Sequence, residues 1–237
     1  MARDVAGTGF VGTYVDANAI SPARMLAIET IMTAAGASVV DGAVFGPPPW
    51  HQGTSRIYLA GETAPYVAEL FSEGPVTPVP FDGPTGSALA LKMSYGATQK
   101  GVIALRALSM AMADRHGVGD LLATEWDRGD AGATADARHR VAVAAPKAWR
   151  WIAEMQEMAD TAANAGLPDG FHRAAAEVFA QWRGHKDSQG RREAVADDVD
   201  AVFRELGRDR CVGGSEPNVP GAAAPTTGTA EPGGRTS

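Results

Sequence analysis

Apolar and polar positions change their spacing twice along the chain. Between residue 10 and about residue 85, short apolar runs alternate with glycine and proline. From about 86 to 206 the spacing becomes helical, and beyond 212 large apolar side chains almost disappear. Phe10-Val11 and Thr13-Tyr14-Val15 form a β-rich run that ends at Asp16. Ser21-Pro22 reads as an N-cap followed by proline at the first helical position. The next stretch, ARMLAIETIMTAAG, is apolar at helical spacing and stops at Gly36. Ser38 to Asp41 and Ala43 to Phe45 predict one strand, broken by Gly46-Pro47-Pro48-Pro49. Ser55 to Ala60 alternates as a strand should. Pro65 to Phe71 predicts a short helix, and Val76 to Phe81 a proline-bearing edge strand. Strand, helix and strand at these distances suit a βαβ unit with an antiparallel extension.

A long helix is predicted from Ser87 to His116, apolar almost all the way round. Such a helix is buried centrally or lies in a subunit interface. Further helices are expected over Gly119–Trp126, Pro146–Ala165, Pro168–His185 and Arg192–Leu206. The predicted organisation is an α/β segment over 1–85, an all-helical region over 86–211 and a tail over 212–237. That tail has too few large apolar side chains to offset its ordering entropy, so it is expected to be disordered.

Composition narrows the function classes. The 237 residues are 45% apolar and carry a net charge of -7. The acidic balance speaks against nucleic acid, which needs a positive field. No apolar run approaches the ~18 to 20 residues of a membrane span, and MARDVAGTGFVG lacks the apolar core of a signal peptide. The single cysteine, Cys211, excludes disulfide scaffolds and Cys-based zinc sites, and a cytoplasmic setting is the simplest. His51, His116, His139, His172 and His185 show no metal-ligand spacing, so no metal is expected.

Residues 7–12, Gly-Thr-Gly-Phe-Val-Gly, spell the dinucleotide pattern G-x-G-x-x-G. That pattern works between a preceding strand and a following helix, where the helix N-terminus meets the pyrophosphate. Only six residues come before it here, Arg3 and Asp4 among them, a stretch too short and too polar for the first Rossmann strand, and a strand follows. It is read as a turn before a strand.

Four segments in order resemble the β-hydroxyacid dehydrogenases. Asp16-Ala17-Asn18-Ala19-Ile20-Ser21-Pro22 is similar to the family's D-x-S-T-I-x-P segment. Asp41-Gly42-Ala43-Val44-Phe45-Gly46-Pro47 stands where the family has D-x-P-V-S-G-G. Gly53 to Gly61 resembles its G-T-L-T-I-M-V-G-G strand, and Asp82 to Lys92 its G-x-x-G-x-G-x-x-x-K entry to the central helix. Asp198 to Phe203 suits its final helix. The resemblance runs from about residue 13 to 206, nearest to the 3-hydroxyisobutyrate and 6-phosphogluconate dehydrogenase-like branch with an NAD-binding phosphogluconate dehydrogenase C-terminal domain.

The resemblance implies an α/β remnant of a Rossmann domain followed by an all-α domain like the C-terminal domain of 6-phosphogluconate dehydrogenase. It implies an NAD- or NADP-dependent oxidoreductase acting on a small hydroxy acid. It also implies a homodimer paired through the helical domain, with no nucleic-acid or membrane partner. The family's first nucleotide-binding half has no counterpart, so the chain reads as truncated. By itself it is expected not to bind NAD(P)H tightly. The alternative is a catalytically inactive helical dimerisation remnant. By resemblance, Lys92 is the catalytic lysine, and Asn18 and Ala19 lie beside the nicotinamide. Phe45, Gly46, Pro47 and Gly96 occupy the substrate positions, with Phe45, Pro47 and Gly96 departing from the family's residues. The family's later K-D-L cofactor contact corresponds to Ala153-Glu154-Met155, which lacks the lysine.

The chemistry can be stated from the residues. Oxidising a hydroxy acid needs a base whose pKa lies near working pH, and desolvation can bring a lysine there. Lys92 lies in the second turn of an otherwise apolar helix, with Tyr95 and Gln99 on its face. The residues alone leave it open between such a base and a lysine snorkelling from a helix end. They leave Asn18 open between a cofactor contact and a strand-end turn. Gly46-Pro47 stays open between a close approach to substrate and a rigid loop.

Overall fold

The computed structural model describes residues 1–186 and 199–206. Its four apolar runs pair into one sheet: β1 (Thr13–Asp16), β2 (Ser38–Phe45), β3 (Ser55–Ala60) and β4 (Val76–Pro80), in that spatial order. β1 and β2 run parallel, with Asp16 beside Asp41. β2 and β3 are antiparallel, and β3 and β4 parallel. Parallel neighbours need a crossover. α2 (Pro22–Ala34) supplies it for the first pair and α3 (Ala64–Phe71) for the second. The βαβ unit and its antiparallel extension are thus present as the pattern predicts. β4 holds Pro78 and Pro80 and lies at the sheet edge, where a missing N–H costs no ladder bond.

Side chains on the two faces of the sheet make separate cores. Val40, Ile57 and Leu59 bury against Ala64 and Val67 of α3. Val39 joins Met25 and Met32 of α2, together with Leu89. α2 stops where the sequence places its stop: Gly36 has φ 87°, and the Ala37 N–H returns to the Met32 carbonyl at 3.1 Å. Residues Ala2–Ala6 form a short helix, α1, that the sequence pattern does not announce. The chain around the glycine pattern therefore runs helix, turn, strand, the reverse of a phosphate-binding loop.

α4 (Ser87–Arg115) spans 29 residues and leads from the sheet into the helical region. α5 (Gly119–Gly129), α6 (Ala133–Ala144), a 3-10 turn (Ala145–Lys147), α7 (Ala148–Asn164), α8 (Gly170–Gln181) and α9 (Val199–Glu205) follow. The helices close around Met93, Val141, Met155, Phe179, Trp182 and Leu206. The Trp182 indole donates to the Val202 carbonyl at 3.2 Å, tying α9 to the end of α8. Residues Met1–Leu206 form one compact unit.

One expectation is revised: α6 fills a stretch for which no helix is predicted. Within the single chain, α4 is not covered on every face: Leu91, Tyr95, Val102, Leu105, Leu108 and Met112 are exposed. The part of the expected helix before Val199 and the tail over 212–237 lie outside the described residues.

Candidate functional site

The site is built where two helices begin. An added Cβ at Gly86 would stand 3.4 Å from Pro22 Cβ, so the starts of α2 and α4 are in contact. A helix start leaves backbone N–H groups without partners. Ser21 occupies the N-cap position of α2, but its hydroxyl makes no capping bond, contrary to the sequence reading. Its backbone N–H donates instead to Glu157 of α7 at 2.8 Å, and Arg24 pairs with the same carboxylate. At α4 the N-cap is Gly86, which has no side chain to offer. Asp41, from the middle of the sheet, accepts there from Ala88 N–H at 2.8 Å and Leu89 N–H at 3.2 Å. Both helices are thus capped by carboxylates from distant segments, placed where the helix dipole favours negative charge.

Lys92 lies one helical turn beyond Ala88. Burial pushes its ammonium below the ordinary lysine range; Glu154 of α7 opposes the shift and Lys100 adds to it. Glu154 is itself paired with Lys100. Burial raises the Asp41 carboxyl; the N–H groups of Leu89, Ala88 and Gly86 oppose this, and Asp16 reinforces it.

Glu154 also borders a cleft of about 680 Å³ that holds Asn18 and Ala19. Asp16 Oδ1 accepts from both the backbone N–H and the Nδ2 of Asn18, each at 2.9 Å. That pair of bonds fixes the Asn18 amide by an Asx turn, and with Ala19 it sits in a cleft wall beside Arg24 and Glu157. Phe45 ends β2 with its ring 5.3 Å from Tyr95 and 5.2 Å from Tyr58, edge to face. Gly46 turns the chain at φ 108°, and a Cβ there would lie 2.4 Å from the Thr54 carbonyl oxygen. The buried Ser55 hydroxyl donates to the Pro47 carbonyl, so the loop is pinned to the start of β3.

The structure therefore brings Phe45 onto Tyr95, three residues after Lys92 on α4, and places Asn18 with Ala19 in the cleft that Glu154 borders. Gly96 faces elsewhere. It is buried against α7, where an added Cβ would meet the Met158 methyl at 2.4 Å. Its role is close helix packing, not lining the cleft. Among the described residues no group of three or more His, Cys, Asp or Glu could hold a metal, and no helix is long and apolar enough to cross a membrane. Sequence reasoning gave Asp41, Arg24 and Glu157 no role. The signal was present in negative form: Ser21 has no acid three residues on to complete a capping box, and Gly86 has no side chain.

Comparison with known proteins places this architecture. Residues 113–182 match the model of a domain of unknown function, DUF1932. No curated protein matches the chain. A conserved hypothetical protein from Sinorhizobium meliloti 1021 is 25% identical, with a TM-score of 0.69, over 86% of this chain and 72% of its own. MTH1747, a conserved protein of unknown function described as structurally similar to 3-hydroxyacid dehydrogenases, is 24% identical (TM-score 0.58; 78% and 70% covered). The 3-hydroxyisobutyrate dehydrogenase ygbJ from Salmonella typhimurium is 17% identical (TM-score 0.53; 81% and 68% covered). The fold is that of the 3-hydroxyacid dehydrogenase-like proteins. Within that fold, the stretch that matches DUF1932 runs from the end of α4 to the end of α8.

Proposed function

We propose that the chain supplies the proton-handling, substrate-facing part of an NAD(P)-dependent oxidoreductase acting on a small hydroxy acid or the matching carbonyl compound. The observation that supports this is Lys92: a lysine lowered by burial, one turn into the helix that leaves the sheet and three residues before Tyr95, whose ring meets Phe45. In the oxidation direction, neutral Lys92 takes the hydroxyl proton onto Nζ as the carbonyl forms. In reduction, its ammonium returns that proton to the carbonyl oxygen. The nicotinamide supplies the hydride acceptor or donor. Asn18 and Ala19 fit its carboxamide end, since Asp16 already orients the Asn18 amide in the cleft wall. The phosphate end is not matched by the glycine pattern, which here follows a helix and precedes a strand, and no residue is assigned to it. Gly46 and Pro47 hold the substrate-side loop close to β3, and Phe45 gives that side an apolar wall.

The exposed apolar stripe on α4, from Leu91 through Leu105 to Met112, supports pairing with a second copy in a cytoplasmic homodimer. The order of elements around residues 7–12 favours one second reading, a non-enzymatic dimerisation module. One experiment separates the two. The chain, alone and joined to a nucleotide-binding βαβ unit, is assayed with NADH or NADPH and a panel of small keto acids. The joined protein should oxidise the nucleotide, and Asn18→Ala should raise KM for it. Folded, dimeric protein with no turnover on any panel member would favour the dimerisation module.

A further inference from the structure

Asp41, Ala43 and Phe45 alternate along β2, so they line one face of that strand. All three meet α4 or its contacts in order. Asp41 accepts from the N–H groups of Ala88 and Leu89. Ala43 packs with Ala60 and Ala88 in a cluster of fully buried alanines, where backbones approach closely. Phe45 sets its ring edge to face on Tyr95. Lys92 stands between the first and last of these contacts, one turn above Ala88 and three residues before Tyr95. In an α-helix the Lys92 N–H bonds the Ala88 carbonyl, so whatever fixes Ala88 fixes the base of Lys92.

We infer that Asp41 is a positioning residue: its carboxylate locks the first turn of α4 onto β2 and thereby holds Lys92 in its site. This rests on the reading of Lys92 as the proton-handling group. Three observations favour positioning over simple stabilisation of the sheet. Asp41 is 0% exposed, yet its Oδ1 has no hydrogen-bond partner. A half-used buried carboxyl is a costly way to fill a core position. The bonds it does make go only to the helix start, where Gly86 at φ 98° offers no cap of its own. Glu154 and Lys100 are the charged groups that bear on Lys92, while the bonds of Asp41 go to the backbone of α4, so its influence runs through the place of the helix.

The test needs no nucleotide, so it is independent of whether the chain turns over. The chain has four lysines, Lys92, Lys100, Lys147 and Lys186. Reductive methylation with a carbon-13 label makes each visible by NMR, and Lys92→Arg assigns the Lys92 signal. In the unsubstituted chain Lys92 should titrate at the lowest pH. With Asp41→Ala its midpoint should rise toward the ordinary lysine range by at least about half a pH unit, roughly a threefold change in its proton affinity. Asp41→Asn keeps an oxygen that accepts from Ala88 and Leu89, and should leave the midpoint in place. If Asp41→Ala does not fold, Asp41→Ser, which is too short to reach both N–H groups, carries the same expectation. A lower melting temperature with an unmoved Lys92 midpoint in the alanine or serine variant would overturn the inference. So would an asparagine variant that shifts Lys92 as far as alanine does.

Discussion

The sheet region and the helical region both close around small residues, but different atoms set the limit. In the sheet region the limit is backbone. A Cβ at Gly46 would stand 2.4 Å from the Thr54 carbonyl oxygen, and one at Gly61 would stand 2.8 Å from that of Val39, both at positive φ. In the helical region the limit is the end of a side chain. Gly96 faces the Met158 methyl and Gly101 the Phe171 ring, both within ordinary helix geometry. Backbone in or next to a paired strand gives way little, whereas a methionine rotates. The helical region should therefore tolerate changes of small residues that the sheet region does not, and depend more on its few large ones.

The largest expected effect is loss of such a large residue. Trp182 is fully buried among the helices and bonded to Val202. Trp182→Ala should destabilise by about 3–5 kcal/mol, read from denaturant unfolding. Next comes Gly46→Ala, which combines strain at φ 108° with a backbone clash. It should cost about 1–3 kcal/mol. Gly96→Ala should stay within about 1 kcal/mol of the parent, since the gain in helix propensity offsets the displacement of Met158. If Gly96→Ala cost as much as Gly46→Ala, the contrast between the two regions would fail.

The smallest effects lie in the pH dependence, with opposite signs for the two groups at the seam. Asp41 is raised in the folded chain, so its stabilisation is present below the ordinary aspartate range and is lost as pH rises through its folded value. Lys92 is lowered, so its stabilisation is present above the ordinary lysine range and is lost as pH falls through its folded value. Thermal unfolding against pH should show both slopes. Asp41→Asn should flatten the acid-side one, and Lys92→Met the alkaline one.

Much of the sheet region was legible because its signals are local. Alternation marked Ser55–Ala60, glycine ended α2 at Gly36, and prolines marked β4 as an edge. α6 was missed because ATADARHRVAVA has no large apolar stripe; it buries Ala137, Val141, Ala142 and Ala144, and three of those four are alanines. α1 was missed because five residues give no period to read. Lys92 stood out by its apolar surroundings, and the closeness of Asn18 to Ala19 follows from sequence. The caps did not, since Asp41 and Ala88 are 47 residues apart and Ser21 and Glu157 are 136 apart. Gly96 took a substrate position from the family resemblance, whereas in the structure it is buried against Met158 of α7.

The central claim is that Lys92 handles the proton of the reaction, and kcat of Lys92 variants tests it most directly. In the chain joined to a nucleotide-binding unit, Lys92→Ala should lower kcat by at least ~100-fold while the far-ultraviolet spectrum is unchanged. Lys92→Arg should not restore the rate, because a guanidinium does not release a proton near neutral pH. A folded Lys92→Ala protein that keeps most of its kcat would contradict the account and leave Lys92 as a helix-end lysine reaching for solvent.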